Sequence, residues 1–153
     1  VIELKKATLD DIEAMQELVA QNVTSGVILA RSDDEIATNI RSYILAKEGN
    51  QLVGYTALHI HSRDIAEIRS LIVHEDFRRQ NIGRHMVNYA ISEAQKLGIK
   101  REVLALTYIA DFFIKLGFIE IGKDEIPEHK IWADCIKCIH FPVCNEVALV
   151  YRF

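Results

Sequence analysis

The stretch VHEDFRRQNIGRHMVNYAISEAQKLG, Val73 to Gly98, decides the fold. The apolar run Leu71-Ile72-Val73 leads into it and reads as a buried strand. A polar, basic loop follows, Arg78-Arg79-Gln80-Asn81-Ile82-Gly83, and then a long helical pattern. Met86, Ala90, Ala94 and Leu97 recur at three- and four-residue steps, with Val87 and Ile91 beside them, as one apolar helix stripe requires. Gly98 stands where a left-handed cap would end the helix. A strand, a tight Arg/Gly loop and a helix N-terminus in that order make an anion site. The free N–H groups of the first turn and the helix dipole both favour a phosphate there. Arginine side chains around the loop add charge-assisted hydrogen bonds. The loop reads as a pyrophosphate cradle.

The bulk numbers bound what such a cradle serves. A chain of 153 residues, half apolar and a quarter charged, is read as one globular domain spanning 1–153 with a substantial core. Its formal charge of −4 argues against general nucleic-acid binding. Between Arg78 and Arg101, however, six cations face only Glu93, a local positive field suited to a small anionic ligand. No apolar run reaches membrane-spanning length and no signal peptide opens the chain, so neither a membrane nor secretion is expected. The cytoplasm is the expected compartment.

Outward from the cradle, the chain alternates strand and helix patterns. Ile2-Glu3-Leu4-Lys5 reads as a strand, and Thr8-Leu9-Asp10-Asp11 as the capped start of a helix carrying Ile12, Met15, Leu18 and Val19. Ser32 and Glu35 form a capping box for a second helix with Ile36, Ile40 and Tyr43. Glu48-Gly49-Asn50 turns a hairpin, and Gln51–His61 and Ile65–His74 continue as strands. Beyond the cradle helix come a buried strand at Val103–Thr107, a short helix Ala110–Leu116 closed by Gly117, a strand Phe118–Ile121, and Glu146–Phe153, which is expected to close the sheet. The class is α+β, with a mixed, mostly antiparallel sheet.

The cradle loop resembles the R-x-x-G-x-G/A acetyl-CoA-binding signature of the GNAT acetyltransferases. Asn81 stands at the first family glycine, and asparagine is among the few other residues that tolerate positive φ. The element order resembles the same family, in which two neighbouring parallel strands splay and acetyl-CoA enters between them. Four further segments narrow the resemblance: GVILARS at 26–32, AEIRSL at 66–71, LALTY at 104–108 and FFIKLGF at 112–118. With the tail IPEHKIW at 126–132 and CNEVA at 144–148, they are similar to the short bacterial N-acetylglutamate synthases. Long members of that activity carry an amino-acid kinase domain, for which this chain shows no segment; arginine feedback housed there is expected to be absent or rebuilt.

The resemblance implies acetyl-CoA as cosubstrate, an amino-acid acceptor, and a set of site residues. Leu71, Ile72, Val73, Arg78, Arg79, Gln80, Asn81, Ile82, Gly83, Arg84, Phe113 and Lys115 fall on the cofactor side. Leu29, Arg31, Ser70 and Lys130 fall on the acceptor side, with Arg69 joining them by strand alternation, and Arg31 can grip a carboxylate in bidentate fashion. Acetyl transfer to an amine needs a proton acceptor, a stabilised oxyanion and a proton for the departing thiolate. Glu67 is the expected base. By strand alternation Glu67 and Leu71 should share a face, with Arg69 on it too. The N–H of Ile72 or Val73 is the expected oxyanion donor. Many GNAT enzymes place a tyrosine at the position of Phe113, which cannot donate a proton. Thr107 occupies the matching donor position of the synthase-like pattern, whereas Tyr108 has the more acidic hydroxyl.

Alternatives share much of this pattern: another acceptor (glutamine, another amino acid, an amine or a protein N-terminus), or a non-catalytic CoA- or zinc-binding module. Cys135, Cys138 and Cys144, with His129 or His140, have something of a zinc spacing, but the synthase-like activity needs no metal and none is expected. An exposed strand edge near the C-terminus would admit a homodimer.

Overall fold

A computed structural model describes residues 1–24, 30–126 and 146–153. Leu29, Lys130, His129, His140 and the three cysteines lie outside them. In chain order the elements are β1 (Ile2–Lys6), α1 (Ile12–Thr24), α2 (Asp33–Thr38), β2 (Tyr43–Glu48), β3 (Gln51–Ile60), β4 (Ile65–Val73), α3 (Ile82–Leu97), β5 (Glu102–Thr107), α4 (Ala110–Lys115), β6 (Ile119–Ile121) and β7 (Val147–Arg152). Among the described residues the strands form one sheet in the order β1-β2-β3-β4-β5-β7-β6, parallel only between β4 and β5. The C-terminal strand therefore does not close the sheet as expected. It inserts between β5 and β6, and among the described residues the three-residue β6 is the edge.

Local chemistry sets the element ends. Ser32 Oγ accepts from the Glu35 amide, and the Glu35 carboxylate accepts from the Ser32 amide, completing the capping box of α2. That helix stops at Thr38, and Tyr43 opens β2 instead of extending the helix. Gly49 at φ +59° turns the β2–β3 hairpin. At the end of α3, Gly98 adopts φ +86°, with its N–H donating to Gln95 O while Ile99 N–H donates to Ala94 O. This Schellman cap swings Ile99 into the core and leaves Leu97 65 % exposed, so Leu97 is not part of the buried stripe.

Two cores sandwich the sheet. Ile44, Leu58, Ala66, Ile68, Val103 and Ala105 pack under Val87, Ala90 and Ile91 of α3. On the opposite face Tyr43, Leu45, Tyr55, Ala57 and Ile72 pack against Met15 and Val19 of α1. Gly54 brings β3 close to β4: a Cβ there would lie 2.8 Å from the Ile72 carbonyl oxygen.

Two irregularities of β4 shape what lies at its end. Its parallel pairing with β5 runs from Ile65↔Glu102 to Ile68↔Ala105, whereas β4 continues to Val73. Among the described residues, the strands part from Arg69 onward. Ladder partners Tyr55↔Ile72 and Ala57↔Arg69 also show β4 using three steps where β3 uses two, a bulge at which Ser70 sits at φ 55°. The bulge inverts the side-chain alternation. Ile72 faces α1, while Leu71 and Val73 pack on the α3 side. The expected shared face of Glu67 and Leu71 is thereby corrected: Glu67, between Ala66 and Ile68, points to the α1 side.

At the start of the chain, the Asp11 carboxylate accepts from the Thr8 amide at 2.8 Å and from Lys47 Nζ at 3.0 Å. Burial pushes the Asp11 pKa up, but the Thr8 hydrogen bonds and the Lys47 ammonium outweigh it and hold the pKa below the ordinary value. Asp11→Asn is expected to cost about 1 kcal/mol, the usual worth of such a cap and part-buried pair. Since the folded-state pKa is the lower one, this contribution is full above the unfolded carboxylate pKa and fades as pH falls through the folded one. Urea melts of both proteins should therefore differ at neutral pH and converge in acid.

Candidate active site

Glu67 is the buried carboxylate at the point where β4 and β5 begin to part. The residue is 2 % exposed, and its Oε1 lies 2.8 Å from His61 Nε2 and 3.2 Å from Arg69 Nε. A carboxylate so buried persists only where donors replace water. Arg69 flanks it on the splayed side of the strand, and shares its face as alternation requires short of the bulge. His61 flanks it on the side where the two strands remain paired. His59 is the direct cross-strand partner of Glu67, and its ring meets His61 edge-on with centroids 4.8 Å apart. Neither histidine stood out in the sequence. Their i, i+2 spacing on a strand facing Glu67 was the available signal, and it acquires meaning only once the register of β3 on β4 is known.

The same sheet face carries Tyr43 and Tyr55, whose rings meet at 5.8 Å. Burial pushes the Tyr55 phenol well above its ordinary pKa and Tyr43 adds to this, while the Arg31 guanidinium pulls the other way. Arg31 thus brings its charge to the buried tyrosine pair. Gln16 of α1 fixes the segment, donating to the Arg31 carbonyl oxygen at 2.9 Å and to Asp33 Oδ1 at 3.0 Å. Arg31 Nη1 stands 3.9 Å from Glu35 Oε2.

The cradle lies at the other end of β4. After a single 3₁₀ turn at Glu75–Phe77, the loop runs through Arg79 at φ 73° and Asn81 at φ 61°, both left-handed, into α3. Asn81 thus takes the turn expected of it, and its side chain makes no cap bond to the helix. Arg78 Nε reaches the Val73 carbonyl oxygen at 3.4 Å. His74 N–H donates to Val53 O on β3, so strand alternation turns the Val73 N–H the other way, toward the splay. Arg78, Arg79, Gln80, Asn81 and Arg84 are exposed, whereas Ile82 is buried under the sheet. Gly83 makes room for Phe112: a Cβ would come within 3.3 Å of its ring.

The remaining expected residues divide. Thr107 ends β5 beyond the last β4–β5 pair, and its Oγ1 accepts from the Ile109 amide at 3.0 Å. Tyr108 is exposed. Lys115 is exposed at the end of α4. Phe113 is 3 % exposed and packs edge-on against Phe118 at 5.1 Å. It thus sits in the core, and the neighbouring Phe112 is the ring beside Gly83 of the cradle.

The family model described as Acetyltransferase (GNAT) family matches residues 11–118. The chain belongs to the GNAT acetyltransferases. It is 35 % identical over 147 residues to an uncharacterized N-acetyltransferase of Chlorobaculum tepidum, covering 96 % of this chain and 94 % of that protein. It is also 26 % identical to the amino-acid acetyltransferase of Vibrio vulnificus over 84 % of this chain, but spans only 29 % of that protein's length. In fold it superposes on N-acetylglutamate synthase from Neisseria gonorrhoeae, complexed with coenzyme A and N-acetylglutamate. There the TM-score is 0.88 and the identity 23 %, covering 99 % of this chain and 35 % of that one. A Mycobacterium tuberculosis protein in complex with CoA follows, with a TM-score of 0.85, 19 % identity and 99 % coverage of both chains.

As a GNAT enzyme, the protein is an acetyl-CoA-dependent N-acetyltransferase. The GNAT sheet, with its splayed β4 edge, and the uncapped N-terminus of α3 fit a pantetheine arm and a pyrophosphate respectively. No helix among the described residues is long and apolar enough to cross a membrane.

Proposed function

We propose that the acceptor is the α-amine of L-glutamate, the reaction that opens arginine biosynthesis. What supports this reading is the Arg69 guanidinium bonded to Glu67, together with an Arg31 charge that acts on Tyr55 of the same sheet face. A dicarboxylate acceptor needs cations on that side. The amino-acid acetyltransferases among the relatives support the same class.

Acetyl-CoA supplies the acetyl group as a thioester. The loop Arg78 to Gly83, with Arg84, holds its phosphates, and the outer edge of Leu71–Val73 holds its amide arm. Glu67 takes a proton from the acceptor amine, directly or through a water. The Val73 N–H stabilises negative charge on the thioester oxygen. Thr107 accepts a hydrogen bond from Ile109, so its own hydroxyl hydrogen is oriented away from that contact and serves the departing sulfur. Transfer is direct, without a covalent acetyl-enzyme. Leu29 and Lys130 complete the acceptor side in this reading, with Ser70 at the bulge.

Thiol release from acetyl-CoA, measured against the proteinogenic amino acids, tests the assignment. L-Glutamate should give the highest kcat/KM. A preference for glutamine would keep the enzyme class and replace the acceptor; silence across the panel, with acetyl-CoA still bound, would discard amino acids altogether.

A further inference from the structure

We propose that His61 is a positioning residue for Glu67, holding its carboxylate from behind so that it faces the acceptor amine. The inference rests on the reading of Glu67 as the base.

The geometry separates the two groups around the carboxylate. Ladder partners His59↔Glu67 and Ile60↔Ala66 place His61 level with Ile65, two residues from Glu67 in the direction away from the splay. Arg69 lies on the splayed side. His61 therefore lies away from the splay that acetyl-CoA enters in this reading, and its ring is set against Glu67. Its side chain is 1 % exposed and that of Glu67 3 %, with 2.8 Å between Nε2 and Oε1. An ionised carboxylate only accepts, so Nε2 carries the hydrogen and donates.

The ring is itself fixed. Its own backbone N–H donates to Ile65 O, closing the turn into β4, where Ser62 Oγ accepts from the Asp64 and Ile65 amides. The His59 ring braces it edge-on. A carboxylate at the end of a glutamate has three side-chain torsions to order. Arg69, a donor on the open side, draws the carboxylate toward the splay. A second donor at the closed side opposes that pull. This is how a buried base keeps one orientation through the arrival and departure of ligands.

The experiment compares His61→Leu, His61→Gln, Glu67→Gln and the double variant His61→Leu/Glu67→Gln. All are assayed by thiol release with acetyl-CoA and L-glutamate, with acetyl-CoA affinity and thermal melting as checks of folding. His61→Leu should lower kcat by about tenfold to a hundredfold, as a misplaced catalytic group does, with both KM values within about twofold of the parent. His61→Gln retains an N–H donor near Nε2 and should recover most of that loss. The double variant should be no slower than Glu67→Gln alone. Parental kcat in His61→Leu, no recovery in His61→Gln, or additive losses in the double variant would each overturn the proposal.

Failure of the base assignment looks different: Glu67→Gln would then retain parental turnover. Should L-glutamate prove not to be the acceptor, the pair is still read without it. The ¹⁵N resonance of His61 Nε2 in the free protein should move on Glu67→Gln. An unmoved resonance would count against the contact itself.

Discussion

Glu67→Gln is expected to lower kcat for acetyl transfer by about 10²- to 10⁴-fold near neutral pH, the usual worth of a general base. The substitution is nearly isosteric, and the amide oxygen can still accept from His61 Nε2 and Arg69 Nε, which lie 2.8 and 3.2 Å from the Glu67 oxygen. The loss should therefore appear in kcat, while acetyl-CoA affinity and the melting temperature stay near those of the parent. With the base gone, the residual rate depends on the fraction of acceptor amine that is already neutral. It should climb steadily as pH approaches the amine's own pKa, where the parent enzyme has levelled off. A pH series of thiol release reads both effects. Turnover unchanged across pH would remove Glu67 from the chemistry.

Arg31→Ala should raise the KM for L-glutamate by roughly 10- to 150-fold, the range for a hydrogen bond to a charged group lost from a binding site. Its effect on kcat and on the KM for acetyl-CoA should be small. Two of the contacts at Arg31 bear on whether the defect is one of binding or of folding. Its ion pair with Glu35 is long, at 3.9 Å, and Glu35 is half exposed, so the pair contributes little to stability. The backbone at Arg31 is held by Gln16 through the carbonyl oxygen, a contact that survives the substitution. Arg31→Lys should recover only part of the affinity, since an ammonium does not reproduce the planar fork. A KM within twofold of the parent in Arg31→Ala would place the acceptor elsewhere.

Much of this site is legible before any coordinates. The left-handed turn at Asn81 follows from what asparagine tolerates, and the Schellman cap at Gly98 from what glycine permits; both are properties of single residues and near neighbours. The Ser32–Glu35 box is equally local. Glu67 could be picked out because amine acetylation needs a proton acceptor near the thioester and the AEIRSL segment resembles the synthase pattern at that residue. The burial of Phe113 is not local: it depends on Phe118 and on how α4 lies against the sheet.

The bulge shows most plainly where local reading stops. Positive φ at Ser70 carries no mark in the sequence, since serine is neither glycine nor asparagine. Strict alternation then places Leu71 beside Glu67, and the one extra residue on β4 reverses it.

By itself, then, the sequence determined the order of strands and helices, the cradle between Val73 and α3, and the caps that end the helices, because each depends on contacts within a few residues. Only the tertiary structure decided which strands neighbour one another, that β7 slips between β5 and β6, and that Arg69, His61 and His59 gather around one buried carboxylate. Those arrangements arise from pairing between distant segments, where register is chosen by the packing of both sheet faces at once and no local periodicity records the choice.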